Sequence, residues 1–272
     1  MIITKRTLII GLCAVMLVVL TALGPGLILR CQRSFCGVKK GVKLDGHCVE
    51  GLLEKELYDA VTSLAELHNI EAENARWDWN LGIVQVEKVG QVVDIQATVE
   101  ALLNAPPNTE GTFITVTILP SITASHFQPY YRGPSLEPRV ALMINVDWGD
   151  EYILGMLDVL DYYNITVTWF PTGRWVDQSP ALAKEIALRG HEIGNHGGWH
   201  GMASQMSREE VARLIQEGED KITTATGQKP QVFAPPAGDF NRQTVAAAAE
   251  LGYKTVLWTV DTVDWKRPAP TI

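Results

Sequence analysis

From Arg139 onward, short apolar runs alternate with helical stretches, and this alternation restricts the fold more than any other feature of the chain. Residues 140–146 form an apolar run, the pattern of a strand buried on both faces. Residues 152–163 read as a mostly apolar helix, and 165–170 as the next strand. Ser179 caps a further helix, with Pro180 in its first turn and Gly190 just past its end. Ser207-Arg208-Glu209-Glu210 is a capping box, followed by Val211, Leu214, Ile215 and Ile222 at helical spacing. Val232-Phe233 is a short strand, 244–251 an alanine-rich helix closed by Gly252, and 254–260 another strand. Such alternation implies an α/β domain with parallel strands and helices outside, in a barrel or an open sheet. In barrels of this kind, functional side chains sit where strands end.

Upstream, the order is different. Residues 7–29 are uncharged and largely apolar, long enough to cross a hydrocarbon core, with Lys5 and Arg6 before them and Arg30 and Arg33 after. The expected organisation is therefore a membrane anchor at 1–30, a small α+β extracytoplasmic module at 31–127, a linker at 128–138 and the α/β domain at 139–272. A cleaved signal peptide is the weaker alternative, because the apolar stretch is too long. Charge on both flanks leaves the topology open; the bulk of the chain is expected outside a cell membrane crossed once. Within the module, 42–44 reads as a strand, 52–68 as an amphipathic helix, 98–103 as a helix stopped by Pro106-Pro107, and 112–119 as a half-buried strand. Pro129, Gly133, Pro134 and Pro138 mark the linker. Cys31, Cys36 and Cys48 follow the anchor; Cys31 with Cys36 closes the shortest disulfide loop, and a zinc cluster with His47 is the alternative. A net charge of -8 argues against nucleic acid or an anionic membrane surface as partner.

Chemistry concentrates at three strand ends. His196 and His200 are four residues apart and face the same way if the segment is a turn of helix; Gly197 and Gly198 favour an irregular turn instead. Asp147, at the end of the first strand, adds a carboxylate and completes a two-histidine, one-carboxylate metal set. Such a site activates water and polarises a carbonyl. His191 and Glu192 read as the strand leading into it. Trp148, Trp169, Trp175, Trp199, Trp258 and Trp265 suit either sugar stacking or core packing; Trp199 and Trp265 are assigned to a groove and the others to the core.

Residues 139–265 resemble the polysaccharide deacetylase (NodB-homology) family. Its T-F-D-D-G motif is matched by Asn145-Val146-Asp147-Trp148-Gly149, H-S-x-x-H by His196-Gly197-Gly198-Trp199-His200, R-x-P-x-G by Ala234-Pro235-Pro236-Ala237-Gly238, and D-x-x-D-W by Asp261-Thr262-Val263-Asp264-Trp265. The resemblance is nearest to the sporulation-type branch, whose members act on peptidoglycan. It implies a distorted parallel (β/α) barrel of NodB-homology type. It also implies a hydrolase removing N-acetyl groups from cell-wall polysaccharide. In that reading Asp147 is the general base, with His196, His200 and Asp147 around a divalent metal, zinc first. Asp264 completes the catalytic residues, and Trp199, Pro236 and Trp265 contact the glycan.

Three departures bear on activity. The second aspartate, the family's third metal ligand, is Trp148, whose indole cannot ligate a metal, so two imidazoles alone would bind a divalent ion weakly unless Asp147 or Asp150 turns in. The arginine that steadies the base is Ala234. The family's closing L-x-H motif has no counterpart after Trp265: either the sequence is a piece of a longer product, or the barrel lacks its last strand and its acid. Two readings follow, a membrane-anchored deacetylase with a modified site, and a catalytically impaired protein that binds cell-wall glycan.

Overall fold

The computed structural model describes residues 24, 26–134, 136 and 138–266. The chain divides into two compact units, Met1–Ala72 with Val89–Leu119, and Glu73–Lys88 with Pro120–Ile272. Most of the apolar stretch expected to anchor the chain lies outside the described residues; among those described, no helix is long and apolar enough to cross a membrane.

In the first unit, residues 26–36 are helical (α1). They are followed by β1 (Lys43–Leu44), β2 (His47–Cys48), α2 (Glu54–Ala65), β5 (Gly90–Val93), α3 (Ile95–Asn104), β6 (Glu110–Gly111) and β7 (Thr115–Ile118). The amphipathic stripe behaves as its spacing requires. Leu57 and Val61 of α2 and Val99 and Leu102 of α3 are buried together with Val42 and Leu44. Asp94 caps α3, its side chain accepting from Ala97 N at 2.9 Å. The stretch expected to be half-buried fares differently: all four residues of β7 are exposed. Among the described residues β7 pairs with β5 alone, and its side chains are left open on both faces. Cys31, Cys36 and Cys48 are free and exposed. The expected Cys31–Cys36 bridge fails for a geometric reason. Five residues along a helix means about 7.5 Å of rise and roughly 140° of rotation, beyond the reach of a disulfide.

The second unit begins with a hairpin, β3 (Arg76–Asp78) and β4 (Ile83–Gln85), which the sequence placed in the small module. Ala75 and Phe127 pack with Ala246 and Ala249, Ala75 N donates to Ile122 O at 2.8 Å, and Trp79 Nε1 donates to Glu250 at 3.0 Å. An isolated hairpin is marginal in water; this one is stabilised by the helix it covers. The parallel strands are β8 (Met143–Val146), β9 (Thr168–Pro171), β10 (Glu192–Ile193), β11 (Val232–Phe233) and β12 (Lys254–Thr255). They form two sheets, β10-β9-β8 and β11-β12, joined by a parallel bridge between Asn195 and Phe233. A further bridge ties Tyr130, read as linker, to Val256 beyond β12. Among the described residues no pairing returns from that end to β8, so the array is an open run of strands rather than a closed barrel.

Helices α4 (Ile153–Tyr162), α5 (Gly173–Gln178), α6 (Pro180–Leu188), α7 (Arg208–Thr226) and α8 (Arg242–Glu250) alternate with the strands. Their apolar faces close two cores. One joins Leu157, Trp169, Trp175, Ile186, Ile193 and Ile222; the other joins Val211, Leu214, Ile215, Phe233 and Tyr253. The capping box on α7 forms as read, with Ser207 accepting from Glu210 N. Gly227 ends the helix in the left-handed region at φ 76°, a position only glycine takes without penalty.

Candidate functional site

The site is built where β8, β9 and β10 end. Register places Val146 opposite Pro171, so the residues that follow, Asp147 on one strand and Thr172 on the other, emerge side by side. Thr172 N donates to Val146 O at 2.8 Å and His196 N to Pro171 O at 3.1 Å. Gly173 N and Arg174 N donate to Gly197 O and Gly198 O, each at 2.8 Å. Three successive strand ends are thereby tied edge to edge.

Asp147 is buried, and both of its oxygens are engaged. Oδ1 accepts from Thr172 Oγ1 at 2.9 Å, and Oδ2 is paired with the Arg174 guanidinium. Thr172 is itself fully buried as the cap of α5, accepting from Trp175 N at 3.2 Å. Trp175 Nε1 returns a bond to Gly149 O at 2.8 Å. The stretch Thr172-Gly173-Arg174-Trp175 thus positions the carboxylate. Sequence reading set Thr172 and Gly173 in a stretch between the first two motifs and Trp175 in the core, and gave Arg174 no role. The available signal was a threonine before a short helix, directly after a strand that neighbours the aspartate.

His196 lies in an irregular turn, not a helix. Gly197 sits at φ 87°, and a Cβ there would fall 2.8 Å from Leu214 Cδ1. His196 Nδ1 donates to the carbonyl of Ala234 at 2.7 Å, because a carbonyl can only accept. The neutral ring therefore presents Nε2 as a lone pair. Burial pushes its pKa down to about 4, against the upward pull of that bond. The His200 ring is exposed and stands edge-on to His196, centroids 5.5 Å apart. Buried Asn195 pins the turn: Nδ2 donates to Ile215 O at 2.8 Å and to Tyr253 Oη at 3.3 Å, and Oδ1 accepts from Gly197 N at 2.7 Å. This residue also went unread in sequence.

Asp147, His196 and His200 therefore share one neighbourhood, Asp147 acting electrostatically on His196. The other site candidates differ in setting. Asp264 and Trp265 are exposed in the turn Asp264–Lys266, where Asp264 Oδ1 accepts from Thr262 and Lys266 lies over the Trp265 ring. None of their bonds or ring contacts reaches Asp147 or the histidines. Trp199, expected in a groove, is half-buried against the second core, with the Arg213 guanidinium 5.8 Å from its ring. Pro236 is buried in a tight turn. Trp148, expected in the core, is 66% exposed.

The residues present do not fit the expected divalent ion. Among the described residues, no three His, Cys, Asp or Glu side chains converge on one point. Trp148 supplies no ligand, both oxygens of Asp147 are engaged, and the exposed Asp150 carboxylate accepts from Ser179 at 3.4 Å instead of turning in. The alternative cysteine and His47 cluster does not assemble either. His47 Nδ1 bonds Asp45 O.

Comparison with known proteins places the chain. Residues 132–256 match the family described as polysaccharide deacetylase. The uncharacterised protein YlxY of Bacillus subtilis is 34% identical over 218 residues, covering 79% of this chain and 68% of that protein. That length exceeds the 134 residues from Arg139 to Ile272, so the likeness extends into the upstream region. The peptidoglycan-N-acetylmuramic acid deacetylase PdaA of Bacillus subtilis is 30% identical over 141 residues, covering 52% of this chain and 54% of that protein. The chain thus spans about two thirds of the first relative and about half of the second. Among solved structures, BA3943 of Bacillus anthracis, described as a CE4 family pseudoenzyme, is 32% identical with a TM-score of 0.52. It covers 78% of this chain and 76% of its own. A mutant of it, described as having restored enzymatic activity, matches with a TM-score of 0.52 as well. On the strength of this likeness, carried through both halves of the sequence, the chain belongs to the polysaccharide deacetylase family.

Proposed function

We propose that this chain is a catalytically impaired deacetylase-fold protein that binds N-acetylated cell-wall glycan, held at the cell membrane by residues 1–30. One observation carries the reading. The carboxylate that should act as base has both oxygens committed to Thr172 and Arg174, while the adjacent position offers an exposed indole instead of a second carboxylate. Without that second carboxylate the described residues lack a third ligand for the ion that would activate water beside the base. An exposed indole beside a polar strand-end cluster suits stacking on a sugar ring. Trp148 therefore joins half-buried Trp199, which adjoins His200 in the chain, as a proposed glycan contact. Peptidoglycan is the proposed ligand because a relative, PdaA, is named for acting on it.

The full chain in detergent micelles should bind N-acetylated peptidoglycan or chitin oligomers in calorimetry and release no acetate from them. Trp148→Ala should weaken binding at least fivefold. Stoichiometric acetate release, or absence of binding to either glycan, would overturn the proposal. A second reading, slow metal-assisted hydrolysis, draws on the His196 Nε2 lone pair beside His200. Acetate release that disappears in His196→Ala would favour it.

A further inference from the structure

We propose that Arg174 is the resident cation of this site, holding Asp147 in place of the arginine missing at position 234 and excluding a divalent ion from the same carboxylate. This goes beyond glycan binding: it concerns what neutralises the one acidic group the site has kept.

The argument starts from the backbone. Arg174 cannot drift, because its own N–H and that of Gly173 are bonded to Gly198 and Gly197, each at 2.8 Å. The side chain leaves this fixed point directly toward Asp147. Thr172 donates to Oδ1, and the guanidinium donates to Oδ2. The Asp147 side chain is only 6% exposed, whereas that of Arg174 is 51% exposed. A carboxylate so buried needs a partner cation, and a charge left unpaired there is expensive. Ala234, itself fully buried, offers a carbonyl to His196 and no charge.

Charge balance points the same way. With Trp148 in the neighbouring position, Asp147 is the one buried carboxylate at the strand end, Asp150 and Glu151 being exposed, and one arginine neutralises it. A divalent ion would need further ligands that the described residues lack, and at Oδ2 would meet the repulsion of the guanidinium already paired there. Planar, always-charged arginine is well suited to hold a carboxylate in a fixed orientation. The substitutions at 148 and 234 and the arginine at 174 then form one exchange: an acid and an arginine lost, and a cation supplied from the next strand end.

The test is zinc titration calorimetry on the full chain carrying Trp148→Asp, with and without Arg174→Gln. Removing the arginine should tighten zinc binding at least fivefold, or produce binding where Trp148→Asp alone shows none. Arg174→Lys in the same background keeps a cation and should leave zinc affinity within twofold of Trp148→Asp. A smaller gain than fivefold with glutamine, no binding in either protein, or equal gains with glutamine and lysine would each overturn the proposal. Should the glutamine variant unfold, nitrogen NMR of the Arg174 guanidinium in Trp148→Asp gives an independent reading. Zinc should release its slowly exchanging N–H groups, and unchanged resonances at zinc saturation would overturn the proposal. Zinc titration and guanidinium NMR do not read glycan binding, so this inference and the proposed function can fail separately.

Discussion

The turn around His196 and the turn around Asp264 both carry a family motif, and they are held in opposite ways. The first is buried and cross-tied to the ends of β9 and β11, to α7 and to Tyr253. The second is exposed, and among the described residues its bonds stay within the turn: Val263 N to Asp261, Thr262 Oγ1 to Asp264 and Lys266 N to Val263 O. Equal quality of motif has therefore produced unequal structure. A short motif acquires a fixed geometry where neighbouring strands supply partners for its backbone, and stays local where they do not.

The sharpest way to break this comparison is to cut the pin in the first turn. Asn195→Ala removes the partner of buried Gly197 N and of Ile215 O, and should cost about 3–4 kcal/mol in urea unfolding. A loss below about 1 kcal/mol would show the turn to be held by other means.

Acid supplies the next largest effect. Burial holds the His196 pKa at about 4 in the folded chain, against about 6.5 unfolded. Between those values the unfolded chain carries the extra proton. Stability is therefore full above about pH 6.5 and declines as pH falls toward 4, by about 3 kcal/mol for this group. His191, also lowered by burial, adds in the same direction. Unfolding free energy measured across that range should fall, and His196→Asn should flatten the slope. A slope unchanged in the variant would contradict the burial of the ring.

Gly197→Ala should cost about 2 kcal/mol, from a left-handed φ of 87° and the crowding of Leu214. Thermal unfolding reads it directly. At the other end of the scale, Asp264→Asn should change stability by less than about 0.5 kcal/mol, since its one side-chain bond lies within an exposed turn. A loss comparable to that of Asn195→Ala would erase the contrast between the two turns.

Much of the frame was legible beforehand. The apolar runs at β8 and β9, the stripe on α7 and its capping box, and the alternation that forces parallel strands all follow from periodicity, which is a local property. The grouping of Asp147 with His196 and His200 followed from strand ends lying at one edge of a parallel sheet. Other features were not legible. Hairpin β3–β4 has no local mark of its partner; Ala246 and Ala249, against which it is buried, lie some 170 residues away. β7 has the alternation of a half-buried strand, but no layer covers it, because alternation records a preference and not the presence of a neighbour. Trp148 is an indole like Trp169, yet one is exposed and the other fully buried. Composition does not distinguish them; the position just past a strand end does.

Residue type and spacing dictated the class of fold and the strand-end placement of the acidic and imidazole groups, because spacing along the chain governs local structure; the missing ligand at 148 and the missing arginine at 234 came from the resemblance to the deacetylase family. Which cation faces Asp147 was decided only in three dimensions. Arg174 lies 27 residues from Asp147, and its guanidinium meets the carboxylate because parallel register sets their strand ends side by side and backbone bonds to the His196 turn fix its starting point.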